Sequence, residues 1–127
     1  MTSIIPTGFA VSHSMKQQTC FRPGELWPDT HGTHINAHGG GILFHDGTYY
    51  WFGEHKIAGE AGNRAQVGVH VYSSRDLLNW KDEGIALSVS DDPQGDIARG
   101  CILERPKVRL PAIRWNNEWD LSVFSQA

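Results

Sequence analysis

The chain has 127 residues, a length that allows one hydrophobic core and argues against a multidomain machine. Eleven basic against fourteen acidic residues leave a formal charge of −3, so the basic field that phosphate backbones demand is missing and nucleic acid is excluded as an expected partner. No apolar run approaches the roughly 18 residues that cross a bilayer as a helix, so no membrane role is expected, while 14 glycines and 10% aromatic residues suit turn-rich β structure.

Residues 1–20 lack both an early basic cluster and an unbroken apolar segment of the secretory kind, and they read as an N-terminal extension without an address. Cys20 and Cys101 have no CxxC partner, which excludes a zinc ribbon or a thioredoxin-like motif. Two buried thiols, or one long-range disulfide in an exported chain, remain as readings.

The stretch from Trp27 to Gly41 is dense in polar residues and carries His31, His34 and His38. Their spacing would align metal ligands on a helix, but Pro28, Gly32 and the glycines at 39–41 oppose one, so hydrogen-bonded or solvated loop histidines are expected and no metal site is assigned. Gly39-Gly40-Gly41 leads into a strand rather than opening a helix. That rejects a phosphate cradle and leaves close approach of the backbone to another strand or a ligand.

Gly41–His45 and Thr48–Gly53 flank Asp46-Gly47, a strong hairpin signal because Asp-Gly accepts the positive φ angles of a type I′ turn. Residues 56–66 bring Gly59, Gly62, Asn63 and mixed charge, which predicts a loop. Val67–Ser74 alternates, with Val67, Val69 and Val71 on one face, and predicts a third strand. Ser74–Trp80 reads as a single helical turn, Trp80–Leu87 as a fourth strand. Four antiparallel strands with short connections make a meander of about 45 residues, the size of one propeller blade. An Asp- and Gly-rich loop over 91–100 then precedes Cys101-Ile102-Leu103, where a second blade would begin.

Two places carry chemistry. Glu54 and His55 follow the aromatic run Tyr49-Tyr50-Trp51-Phe52, and an acid beside flat apolar faces is the equipment of a sugar site, although a solvated strand edge has the same composition. Glu104 sits beside Arg105, which would hold a carboxylate ionised or be plain surface charge. Two carboxylates flanking a cleft are the basic machinery of glycoside hydrolysis.

The runs His34–Leu43, Gly47–Lys56, Val69–Ser74, Leu78–Gly84 and Glu104–Val108, in that order and spacing, resemble glycoside hydrolase family 43, and within it the exo-β-1,3-galactanase-like branch. The resemblance covers about residues 21–108. It implies an all-β fold, a partial five-bladed β-propeller with the first blade as an antiparallel four-stranded meander plus the start of a second, over residues 21–127. It also implies inverting hydrolysis of a galactan-like polysaccharide or side chain at one end of the propeller channel, with no cofactor.

By the same resemblance Glu104 corresponds to the carboxylate that tunes the pKa of the general acid, an Asp in most members. Glu54 would face the terminal sugar, and Asn36 and His38 would line the same mouth. Gly39 stands where most members place the general-base Asp, a departure shared by the galactanase-like branch, and it is grouped with the substrate-binding positions. Trp51 and Tyr72 are expected in the core. The general acid would come from a later blade, and residues 109–127 depart from the family pattern: Trp115–Trp119 can form a hairpin, whereas Asp120–Ala127 does not fit. A truncated or frameshifted product is therefore expected, with unpaired blade faces that call for the missing blades or self-association. The alternatives are a non-catalytic carbohydrate-binding fragment or an inactive gene remnant.

Overall fold

A computed structural model describes residues 17–109 and 120–126. Strands β1 (His38–His45), β2 (Thr48–Lys56), β3 (Gln66–Ser74) and β4 (Lys81–Ser88) form one antiparallel sheet in sequential order, and β5 (Ile102–Arg109) pairs with β6 (Asp120–Gln126). The all-β meander is the architecture expected of a propeller blade. Its only helical element among the described residues is a 3-10 turn over Gly62–Arg64, inside the expected loop.

The β1–β2 hairpin turns where the sequence predicts it. Asp46 and Gly47 both take positive φ, 48° and 74°, and His45 pairs with Thr48, as a type I′ connection requires. Close backbone approach explains the glycines further along. A Cβ on Gly40 would collide with the Phe52 carbonyl, and one on Gly53 with the Ala37 backbone. The register irregularity between His38 and Gly41 lies at the same place, so the glycine triplet seats β1 against β2 rather than cradling a phosphate.

Both faces of the two central strands, β2 and β3, are covered. On one face Ile35, Ala37, Tyr72 and Trp80 are buried together, with Trp27, Tyr49, Trp51 and Leu77 packed around them. On the other, Phe52, Val69 and Val71 are buried with Leu43, Tyr50, Leu87 and Val108 against them. Residues 27–37 cover the first face and β5 supplies Val108 to the second. This is why β3 is buried on both sides, His70 and Tyr72 included, although its valines alone predict one apolar face. Each large side chain removed from water here contributes about 1.5–3 kcal/mol. Trp51 and Tyr72 are core residues, as expected.

One local expectation needs correction. Ser74–Trp80 is not a helical turn. Leu77 takes φ 64°, which no helix accommodates, and the bend is held by side chains: Asp76 Oδ1 accepts from the N–H groups of Leu78 (2.9 Å) and Asn79 (2.8 Å), and Ser74 Oγ from that of Leu77 (3.0 Å). Ser, Asp and Asn compete in this way with helical hydrogen bonding. Residues 120–126, which the family pattern does not accommodate, pair with β5 as a strand, with Arg109 opposite Asp120, Ile102 opposite Gln126 and a register irregularity between Glu104 and Lys107. Trp115–Trp119 and residues 1–16 lie outside the described residues.

Cys20 is exposed and Cys101 buried, both unbonded. Of the two thiols only Cys101 behaves as a small hydrophobe, its pKa pushed up by burial. No helix of the described residues is long and apolar enough to cross a membrane.

Candidate functional site

The N-terminal end of β1, the C-terminal end of β2 and the middle of β5 converge, and the sequence shows why. His38 pairs with Glu54 across β1–β2, so the glycine-rich start of β1 runs beside the acid that follows the aromatic strand. Glu54 is buried, 4% exposed. A buried carboxylate needs partners, and it has two: Oε1 accepts from the Arg105 backbone N–H at 2.9 Å, and Oε2 pairs with Lys56 Nζ at 2.9 Å. Glu54 therefore binds the peptide that joins Glu104 to Arg105. The two carboxylate positions singled out from sequence, 50 residues apart in the chain, meet at the backbone level.

Arg105 has φ 51° at an irregularity of the β5–β6 ladder between Glu104 and Lys107. Pro106, which lacks an N–H, follows it. At this irregularity the Arg105 N–H goes to Glu54, a local departure of the kind that re-aims groups beside functional sites. Glu104 is half-buried and Arg105 exposed.

Gly39 also belongs to this corner. It adopts φ 55°, and a Cβ there would lie 2.9 Å from Glu54 Oε1. Its missing side chain leaves room for the carboxylate. His38 is exposed at the rim. Asn36 has a structural role. Its Nδ2 donates to the Lys56 carbonyl (2.8 Å), its Oδ1 accepts from the Lys56 N–H (3.0 Å), and its own N–H donates to the Tyr72 hydroxyl (3.1 Å). The side-chain amide thus imitates a strand neighbour for the end of β2. It fixes the backbone of the residue whose ammonium holds Glu54.

On the opposite face of β2 lies a cluster that motif reading did not assemble. His55 Nδ1 and His70 Nδ1 are 2.8 Å apart, and His70 Nε2 is 2.6 Å from Asp82 Oδ1. Burial, followed by the neighbouring His70, holds the His55 pKa below its ordinary value. For Asp82, burial pushes upward but is outweighed by hydrogen bonds from His70 and the Gly84 N–H, and the carboxyl lies below the usual range. The Tyr72 hydroxyl is pushed up, chiefly by burial. The available signal was strand pairing: Gly53 opposes His70 and His55 opposes Gly68, a register that cannot be read from residue types alone.

His31 and His34 are exposed in a loop organised by Asp29, whose Oδ1 accepts from the N–H groups of His31 (2.8 Å) and Thr33 (3.0 Å). His34 Nδ1 lies 3.2 Å from the Trp27 carbonyl. Among the described residues no group of three or more His, Cys, Asp or Glu side chains is arranged to hold a metal ion. Two open concavities lie elsewhere, one of about 340 Å³ along residues 18–28 and one of about 460 Å³ between Thr48, Tyr50, Ser73 and Lys81.

A four-stranded blade with a second one beginning against it is the class of fold these strands define, and known structures give it a family. Over 70% of its length the chain is 58% identical to a GH43 β-1,3-galactosidase solved with galactodeoxynojirimycin, with a TM-score of 0.62 and 25% of that protein covered. An exo-β-1,3-galactanase from Clostridium thermocellum is 40% identical over 70% of this chain and 18% of its own, TM-score 0.59. One from Phanerochaete chrysosporium, solved with galactose, is 42% identical over 68% of this chain and 19% of its own, TM-score 0.59. The matched segment belongs to glycoside hydrolase family 43, on its β-1,3-galactosidase and galactanase side. The chain spans about a quarter or less of the length of these proteins. No protein-family model and no curated protein matches it.

Proposed function

We propose that this chain carries one wall of the active site of a glycoside hydrolase acting on β-1,3-linked galactan-like chains or side chains, by inversion. The observation that carries this reading is the Glu54 carboxylate, buried and fixed at 2.9 Å to both Arg105 N–H and Lys56 Nζ, beside Gly39 and the rim residue His38. A carboxylate fixed in this way is ready to accept hydrogen bonds from sugar hydroxyls, and Glu104, one residue from its anchor, takes the role of the charge that keeps a neighbouring general acid protonated. In this role Glu104 acts through another group.

A second reading is favoured by the same geometry. Both oxygens of Glu54 already accept from donors, which suits a binding group better than a proton donor, so the chain alone would bind a galactoside without cleaving it. Ile42 and Phe44, on one face of β1, are 55% and 57% exposed, an apolar surface suited to further blades or to a second copy. Assaying the purified chain for galactose release and, separately, for binding tests both readings. Release that Glu104→Gln lowers at least tenfold supports the hydrolase, and binding without release supports the binding module. Neither release nor binding contradicts both.

A further inference from the structure

The His55, His70 and Asp82 side chains form a row whose proton content is limited by its geometry. His70 Nε2 lies 2.6 Å from a carboxylate oxygen and therefore carries a proton. The two Nδ1 atoms face each other at 2.8 Å, in rings whose planes are within 8° of parallel. At that distance one N–H can point at one lone pair, and two N–H groups cannot face each other. The row thus holds one proton between the rings and at most one positive charge on the pair.

His70 is buried, 6% exposed, and Tyr72 2%. The Tyr72 ring stacks on His70, with centroids 4.4 Å apart, and its hydroxyl reaches His70 Nδ1 at 3.4 Å. The same hydroxyl accepts the Asn36 N–H, Asn36 clasps the Lys56 backbone, and Lys56 Nζ holds Glu54. A continuous chain of contacts therefore runs from Asp82 on β4 to the carboxylate of the candidate site, through the segment that covers this face.

We propose that the His55–His70 pair, anchored by Asp82, positions the Asn36–Lys56–Glu54 side of the galactoside site, fastening it while the rings share one proton and releasing it when a second charge forces them apart. Release parts the Nδ1 atoms, withdraws His70 from Tyr72 and slackens the Asn36 clasp on Lys56. The charged and titratable groups that face the pair are Asp82 from β4, Tyr72 from β3, and His38, His31 and Asp29 from residues 29–38, which lie close enough to act on His55, Asp82 and Tyr72. This proposal rests on the galactoside reading only for its consequence at Glu54.

The test is an NMR titration of the full chain between pH 8 and pH 4, following imidazole nitrogens together with the Asn36 and Lys56 amides. The expected result is His55 protonated on Nδ1 and His70 on Nε2 at the upper end, a first proton taken up by the pair below the ordinary imidazole midpoint with both amides unmoved, and both amides shifting together at the lower midpoint where the pair takes its second proton. Asp82→Asn, at a partly exposed position, removes the charge that favours the imidazolium, so it lowers the His55 midpoint further and moves the amide transition with it. Independent titration of the two rings at ordinary midpoints, or amides that ignore the ring titration, overturns the proposal. In a parallel titration with a β-1,3-linked galactooligosaccharide, affinity falls at least tenfold across the transition of the two amides. Coupled rings and amides in a chain that binds no sugar at any pH uphold the device and contradict the galactoside reading. Sugar binding of constant affinity through the amide transition contradicts the link to the site.

Discussion

Single residues decide how the polar parts of this blade are held. Asp76 is the clearest surface case. The Asn79 N–H, then the Asn79 side chain, the Leu78 N–H and Ser74 act against the upward push of burial and lower its carboxyl to about 2. Because the group is exposed, solvent screening reduces what this contributes to stability. Asp76→Ala is expected to destabilise the chain by about 1 kcal/mol, the scale of a few hydrogen bonds to a charge discounted for exposure, and denaturant unfolding measures it. The sequence made Glu54 and Glu104 visible as acids but not their relation, which depends on the strand irregularity at Arg105 in front of Pro106. The family resemblance puts Asn36 at the mouth of the site, and in the structure its side-chain amide is engaged on the Lys56 backbone. An amide that satisfies a strand end and one that reads a ligand look alike in a sequence.

Strands and turns were the most legible level. Asp46-Gly47 announces its own turn because few residue pairs tolerate positive φ twice, and the period-two runs of β3 and β4 locate their strands. The failures follow from the same logic. Ser74–Trp80 has helix-like spacing, yet its Ser, Asp and Asn side chains capture the backbone N–H groups. The His55–His70–Asp82 row depends on register across three strands, which composition does not encode. Close approach at the β1–β2 seam gives a sharp expectation for one element. Gly40→Ala puts a methyl into the Phe52 carbonyl and is expected to cost about 3 kcal/mol or more, since backbone on both sides resists moving, whereas Gly24→Ala meets open space and carries only the strain of its own φ. Thermal melts of the two variants, compared with the parent, check the difference.

For the whole molecule, acid should act in two steps. The folded state holds the His55 pKa below 6.5, so the unfolded chain binds the extra proton first. The contribution of a neutral His55 is complete above 6.5 and is lost as the pH falls through that value toward the lower folded one. Asp82 and Asp76 are held below 3.8. Their contribution is complete above 3.8 and disappears as the pH drops toward about 2. Denaturant midpoints measured from pH 8 to pH 2 should decline at each stage, and a flat profile between pH 7 and pH 5 would remove the histidine stage.

The blade architecture followed from meander length, whereas the proposed function rests on the family pattern and on the corner where β1, β2 and β5 meet. That corner makes one commitment above the others: Glu54 accepts hydrogen bonds from a galactoside. Calorimetric titration of the chain with a β-1,3-linked galactooligosaccharide tests it, with Glu54→Gln as the control that keeps the shape and removes the charge. The account predicts saturable binding that the substitution weakens about 10- to 100-fold, the equivalent of about 1.5–3 kcal/mol for hydrogen bonds to a charged group. Absence of binding, or binding of equal strength in the Gln variant, would contradict it.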